Sequence, residues 1–152
     1  MRGIVRVRTG RMDMFGNERP DHGPPLLFVV DDDIATLDLL CEVARDRGWQ
    51  ARGFTRLEPL WGALDDKTPA LLVLDDELPD GRGGDVARWL RREAATADIP
   101  LLVCTAAHPM RQAEIGAWAP VVAKPFDLDE VERFLDAASR RHQDGGRLDA
   151  AG

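Results

Sequence analysis

Four short apolar runs, each ending on a polar residue suited to chemistry, constrain this sequence more than anything else in it. Leu26–Val30 reads LLFVV and runs into Asp31, Asp32 and Asp33. Ala70–Leu74 reads ALLVL and runs into Asp75, Asp76 and Glu77. Pro100–Cys104 reads PLLVC and runs into Thr105 and Ala106, and the shorter Val121–Ala123 runs into Lys124 and Pro125. Such runs carry no alternation of apolar and polar residues. That pattern fits strands buried on both faces, which in turn fits a parallel sheet covered by helices on both sides.

The segments between them have helical spacing. Asp33 is placed to cap a helix in which Leu37, Leu40, Cys41 and Ala44 recur on one face and Gly48 closes the end. Trp49–Phe54 is a less apolar strand, expected at a sheet edge. Leu57–Leu64 is predicted as a second helix, with Pro59 in its first turn. Gly84–Glu93 is a third, with Val86, Ala87 and Leu90 inward. Pro109–Ala117 is a short fourth helix that begins on a proline. Asp127 and Glu130 have capping-box spacing before a last helix whose apolar stripe is Val131, Phe134, Leu135 and Ala138.

Strand and helix alternate five times, which predicts one doubly wound α/β domain over residues 25–142. Residues 1–24 read as a flexible tail, with Ile4, Val5 and Val7 as a candidate short strand, and residues 143–152 as a second, Gly-rich tail. The two cysteines, Cys41 and Cys104, fall in apolar patterns and read as small core residues, consistent with a reducing compartment. No apolar run approaches the length of a membrane span. The formal net charge of −7 argues against a nucleic-acid partner.

In an open parallel sheet, ligands bind beyond the carboxyl ends of the strands. Two acidic clusters, a hydroxyl and an ammonium converge there. Asp31, Asp32 and Asp75 would repel one another if all were ionised. A hard divalent cation relieves that repulsion, and Mg²⁺ suits few carboxylates, water and a phosphate oxygen. The absence of nearby His and Cys ligands argues against Zn²⁺. A carboxylate beside such an ion can attack phosphorus, and Lys124 and Thr105 can meet the phosphoryl oxygens. Gly83 and Gly84 read as a loop before a helix.

These residues resemble the receiver domain of bacterial two-component response regulators, over roughly residues 25–142. The matching segments are LFVVDDD (27–33), LVLDDELP (72–79) with Gly83, IPLLVCTA (99–106) and KPF (124–126). The resemblance implies a flavodoxin-like sheet of strand order 2-1-3-4-5, with Asp75 as phosphoacceptor. Asp32 would be a direct Mg²⁺ ligand and Asp31 would act through water. Glu77 would offer its backbone carbonyl. Thr105, Ala106 and Lys124 would form the phosphate-binding and switch set, and Lys124–Pro125 would be a cis peptide. The implied partners are a histidine kinase or histidine phosphotransfer protein, in the cytoplasm, and a downstream protein target. The protein is expected as a monomer or weak homodimer. It would be a self-phosphorylating and self-dephosphorylating acceptor rather than an enzyme.

Two departures from the family pattern stand out. Only 18 residues separate Thr105 from Lys124, so the fourth helix is expected to be short. Val121 occupies the place where receivers carry an aromatic, and the chain has no Tyr. Trp118 reads as a packing residue for the missing turn, with a share in the switch as the alternative. No output domain follows Lys124, so a single-domain regulator signalling by protein contact or phosphorelay is expected. Arg133, Arg140 and Arg141 are candidates for that contact or simply a solvated face. The alternative function is a receiver-like binding module that never takes phosphate. A hydrolase of the haloacid-dehalogenase type fits poorly, because Ala35 stands where that family has Thr or Val and the lysine follows the second acid cluster.

Overall fold

The computed structural model describes residues 10–12, 14, 16, 18–20 and 23–148. In chain order the elements are β1 (Gly10–Met12), β2 (Glu18–Pro20), β3 (Leu26–Val30), α1 (Ile34–Asp46), β4 (Gln50–Phe54), α2 (Glu58–Asp66) and β5 (Leu71–Asp75). There follow β6 (Glu77–Leu78), β7 (Gly81–Arg82), α3 (Gly83–Arg92), β8 (Leu101–Thr105), α4 (Pro109–Gly116), β9 (Val121–Ala123) and α5 (Leu128–Leu148). The main sheet has five parallel strands in the order β4-β3-β5-β8-β9. Counted within that sheet, this is the expected order 2-1-3-4-5.

Alternation along the strands sorts the core into two layers. Phe28, Val30, Leu72, Leu74, Leu101 and Val103 pack with Leu60 of α2, Leu90 of α3 and Ile115 of α4. Leu27, Val29, Leu71, Val73, Leu102 and Cys104 pack with Leu40 and Cys41 of α1 and Val131 and Leu135 of α5. The three central strands are buried on both faces, as their unbroken apolar runs require. Burial pushes the Cys104 thiol up to about 12, which suits an inert core residue. No described helix is long and apolar enough to cross a membrane.

Local signals explain most element ends. Asp33 caps α1 by accepting the Ala35 N–H at 3.1 Å. Gly48 takes φ +87° just past the end of α1, a conformation that favours glycine. The Trp49 N–H bonds back to Ala44, so β4 starts at Gln50 rather than at the tryptophan. The α2 cap is not local: Asp80, from the turn between β6 and β7, accepts the Leu57 and Glu58 N–H groups at 2.8 and 2.9 Å. Helix α4 has eight residues, short as expected.

Regular structure also lies within both stretches read as tails. The stretch 143–148, expected to be frayed, continues α5 to Leu148. An established helix adds one hydrogen bond for each residue it orders, which carries it across the Gly145–Gly146 pair. Within 1–24, β1 and β2 form an antiparallel ribbon pairing Arg11 with Arg19. Such a ribbon rests on main-chain bonds, which hydrophobic patterning does not reveal. The candidate strand at Ile4, Val5 and Val7 lies outside the described residues.

Candidate functional site

The strand pleat decides which polar side chains meet. Asp31 follows Leu27 and Val29 toward the α1/α5 face, Asp75 follows Leu71 and Val73, and Lys124 follows Val122. The three therefore converge beyond the carboxyl ends of β3, β5 and β9. The Lys124 ammonium lies 2.8 Å from an Asp31 oxygen and 3.4 Å from an Asp75 oxygen. Asp31 and Asp75 are buried, whereas Asp32 is exposed. One carboxylate oxygen from each of Asp31, Asp32 and Asp75 lies within 4.8 Å of the others.

One ammonium lies against two of the three carboxylates in the cluster. Burial, and then the neighbouring Asp31, raise the Asp75 carboxyl above its ordinary value, and Lys124 opposes this only in part. Burial alone would lower the Lys124 ammonium, but Asp31 and Asp75 outweigh it and raise it. An all-oxygen donor set with surplus negative charge, open to solvent at Asp32, fits a hard divalent cation such as Mg²⁺.

The remaining site residues lie close by. Thr105 is the last residue of β8 and is fully buried; its hydroxyl oxygen accepts the Ala107 N–H at 3.0 Å. Ala106, exposed, lies between them. The Lys124 N–H donates to the Thr105 carbonyl at 2.8 Å, joining two site strands. The Glu77 N–H makes a long 3.4 Å approach to Asp75. The Lys124–Pro125 peptide is cis. Trp118 packs between helices: Arg88 and Arg92 of α3 lie 5.3 and 5.5 Å from its ring, and the Arg91 guanidinium donates to its carbonyl. Arg133, Arg140 and Arg141 are exposed on α5. A groove of about 550 Å³ between α2 and α3, walled by Trp61 and Trp89, does not include the acidic cluster.

One pair beside the site was not singled out by the sequence. Asp76 is fully buried, and both of its oxygens accept hydrogen bonds from the Arg111 guanidinium of α4, at 2.9 and 3.0 Å. The signal for it was the pleat. One step past Asp75, a side chain turns to the opposite face, among α2, α3 and α4.

A family model for the response regulator receiver domain matches residues 27–136. The chain belongs to the response regulator receiver domains. The phosphate regulon transcriptional regulatory protein PhoB of Klebsiella pneumoniae is 31% identical over 119 residues, which cover 76% of this chain and 52% of PhoB. The chain thus spans about half the length of such curated relatives. Among solved structures, the non-phosphorylated HemR receiver domain of Leptospira biflexa superposes with a TM-score of 0.63 at 27% identity, covering 75% of this chain and 93% of that one. The chemotaxis response regulator CheY4 of Vibrio cholerae gives 0.65 at 18% identity, covering 73% and 98%, which shows the receiver fold. Within this receiver domain the acidic triad, Thr105 and Lys124 occupy one end of the sheet, while α4 and Val121 are where it departs from the family pattern.

Proposed function

We propose that this receiver domain accepts a phosphoryl group on Asp75 and passes the resulting change to another protein. The observation that carries this is the cluster of Asp31, Asp32 and Asp75 with the Lys124 ammonium against two of them, at the end of the sheet where Thr105 closes the neighbouring strand. An Asp75 oxygen would attack phosphorus, forming an acyl phosphate as the donor's imidazole or other leaving group departs with the bonding electron pair. Lys124 would move from its two carboxylates to a phosphoryl oxygen. Thr105 accepts its hydrogen bond from Ala107 and so keeps its own O–H to donate to another.

Mg²⁺ fits the site. Asp32 and Asp75, the Glu77 carbonyl and, through water, Asp31 would hold it. When bound it would supply positive charge against the developing phosphoryl charge. On this reading the donor is a histidine kinase or a histidine phosphotransfer protein in the cytoplasm. The domain catalyses its own phosphorylation and dephosphorylation and turns over no separate substrate. Signalling would run through protein contact or phosphorelay.

Incubation with Mg²⁺ and acetyl phosphate tests the reading. Intact mass should rise by one phosphoryl group, and Asp75→Asn should abolish the gain. Unchanged mass in the wild type, beside a receiver that does label, would instead leave a phosphorylation-independent binding module.

A further inference from the structure

We propose that Arg111 is a positioning residue for the Asp75 site, acting through the buried Asp76 carboxylate to make the seating of helix α4 and the state of Asp75 depend on each other. The inference rests on the functional reading above and deepens it.

Asp76 ties two helices to the end of the central strand. Its side chain accepts the Gly84 N–H at 3.0 Å and the two Arg111 bonds, while its carbonyl accepts the Gly83 N–H at 3.0 Å. Main chain and side chain of one residue thus hold both the start of α3 and the middle of α4. There is no slack at this point. A methyl group on Gly83 would lie 2.1 Å from the Asp75 carbonyl oxygen, so α3 begins directly against the phosphoacceptor's own peptide. Asp75 and Asp76 share a peptide bond, so a shift of the Asp76 main chain is passed directly to the phosphoacceptor.

The next residue of α4 grips the opposite loop. The Gln112 side-chain amide donates to the Ala107 carbonyl at 2.8 Å, and the Ala107 N–H is bound by the Thr105 hydroxyl. Two successive residues of α4 therefore reach the two loops that follow Asp75 and Thr105. Arg111 is further braced by Asp85 at 3.3 Å and by Glu114 at 3.4 Å. A bidentate guanidinium–carboxylate pair has a fixed geometry, so it transmits displacement where a single point charge would not. The link needs no aromatic at Val121.

The test uses the full chain in three forms: wild type, Arg111→Met, and Asp76→Leu combined with Arg111→Met. The double variant replaces the buried pair by apolar groups, which commonly preserves folding. Thermal midpoint, Mg²⁺ affinity, phosphoryl uptake from acetyl phosphate, and amide exchange over residues 109–116 are measured in each. We expect the double variant to recover the wild-type midpoint while Mg²⁺ binding stays about two- to thirty-fold weaker, the scale on which residues coupled to a site without touching its ligand act. Its α4 exchange should no longer respond to Mg²⁺ or to phosphorylation. Recovery of affinity, uptake and exchange response together with stability would show a merely structural pair and overturn the proposal. If the wild type binds Mg²⁺ without taking phosphate, the functional reading fails, while affinity and exchange still decide the role of Arg111. A wild type that binds neither overturns both.

Discussion

The Lys124 ammonium stands nearer to Asp31, at 2.8 Å, than to Asp75, at 3.4 Å. The cation is therefore shared, mainly with the other acid, and its pull on Asp75 does not offset burial together with the negative charge of Asp31. The Asp75 carboxyl is raised, so the folded protein holds that proton more tightly than the unfolded chain does. The favourable contribution is present below the unfolded value and is lost as pH rises through the folded one. At neutral pH, without metal, ionised Asp75 opposes folding. Asp75→Asn should raise the thermal midpoint by a few degrees at pH 7, with the gain shrinking as pH falls through the folded value and gone below about pH 4, the unfolded value. Calorimetry across pH checks it; a lower midpoint at pH 7 would contradict the electrostatic account.

Mg²⁺ should relieve the same repulsion. A ligand at a hundred times its dissociation constant stabilises the folded form by about 2.7 kcal/mol. The wild-type midpoint should therefore climb with Mg²⁺ and fall back with a chelator. Asp32→Asn should lose most of that climb. In Asp75→Asn the two effects should not add, because the substitution removes part of the repulsion that Mg²⁺ would relieve and one of the carboxylates that would hold it. Titration of the midpoint against Mg²⁺ in the three proteins measures this.

How much of this was legible in the sequence follows from where each signal lies. LLFVV and ALLVL fit strands buried on both faces, so the doubly wound sheet and the convergence of Asp31, Asp75 and Lys124 were readable from residue types and order. The Asp80 cap on α2 was not, because donor and acceptor lie 22 and 23 residues apart and meet only once β5 is in place. Asp76 was visible as one of three consecutive acids. Its partner was not, since Arg111 is 35 residues away and α4 carries a weak pattern. The α5 extension through Gly145 was missed for a different reason. Local propensity disfavours it, and helix continuity overrode that propensity.

Glycine positions give a sharp contrast in packing. The ideal Cβ at Gly83 lies 2.1 Å from the Asp75 carbonyl oxygen and 3.1 Å from the Leu74 side chain, both held in the central strand. Gly83→Ala should cost at least about 1–3 kcal/mol and slow phosphoryl uptake, because relief must come from moving Asp75. Gly62, exposed within α2, has nothing within 4 Å of its ideal Cβ. Gly62→Ala should stabilise by about 0.5–1 kcal/mol and leave uptake unchanged. Urea unfolding and acetyl phosphate labelling of the two variants test the pair of expectations.

Asp76 should behave in the opposite sense to its neighbour Asp75 under acid. Burial alone would raise its carboxyl, but the Arg111 hydrogen bonds, the Gly84 N–H and the nearby positive charges outweigh that and hold it below the ordinary value. A lowered folded value means stability that is present above the unfolded value and is lost as pH falls through the folded one. The Asp76–Arg111 pair should therefore sustain the fold at neutral pH and begin to fail below about pH 4. Arg111→Met leaves Asp76 buried and uncompensated, and should cost about 3 kcal/mol at pH 7. That is the low end for a broken buried pair, since Arg111 keeps part of its surface in solvent. Acidification should narrow the gap between this variant and the wild type, because protonating Asp76 removes the orphaned charge. The apolar double variant should unfold at a lower pH than the wild type, having no carboxylate there to protonate. Acid titrations followed by far-UV circular dichroism distinguish these cases. A gap between Arg111→Met and the wild type that stays constant from pH 7 to pH 3 would show that Arg111 contributes packing rather than charge.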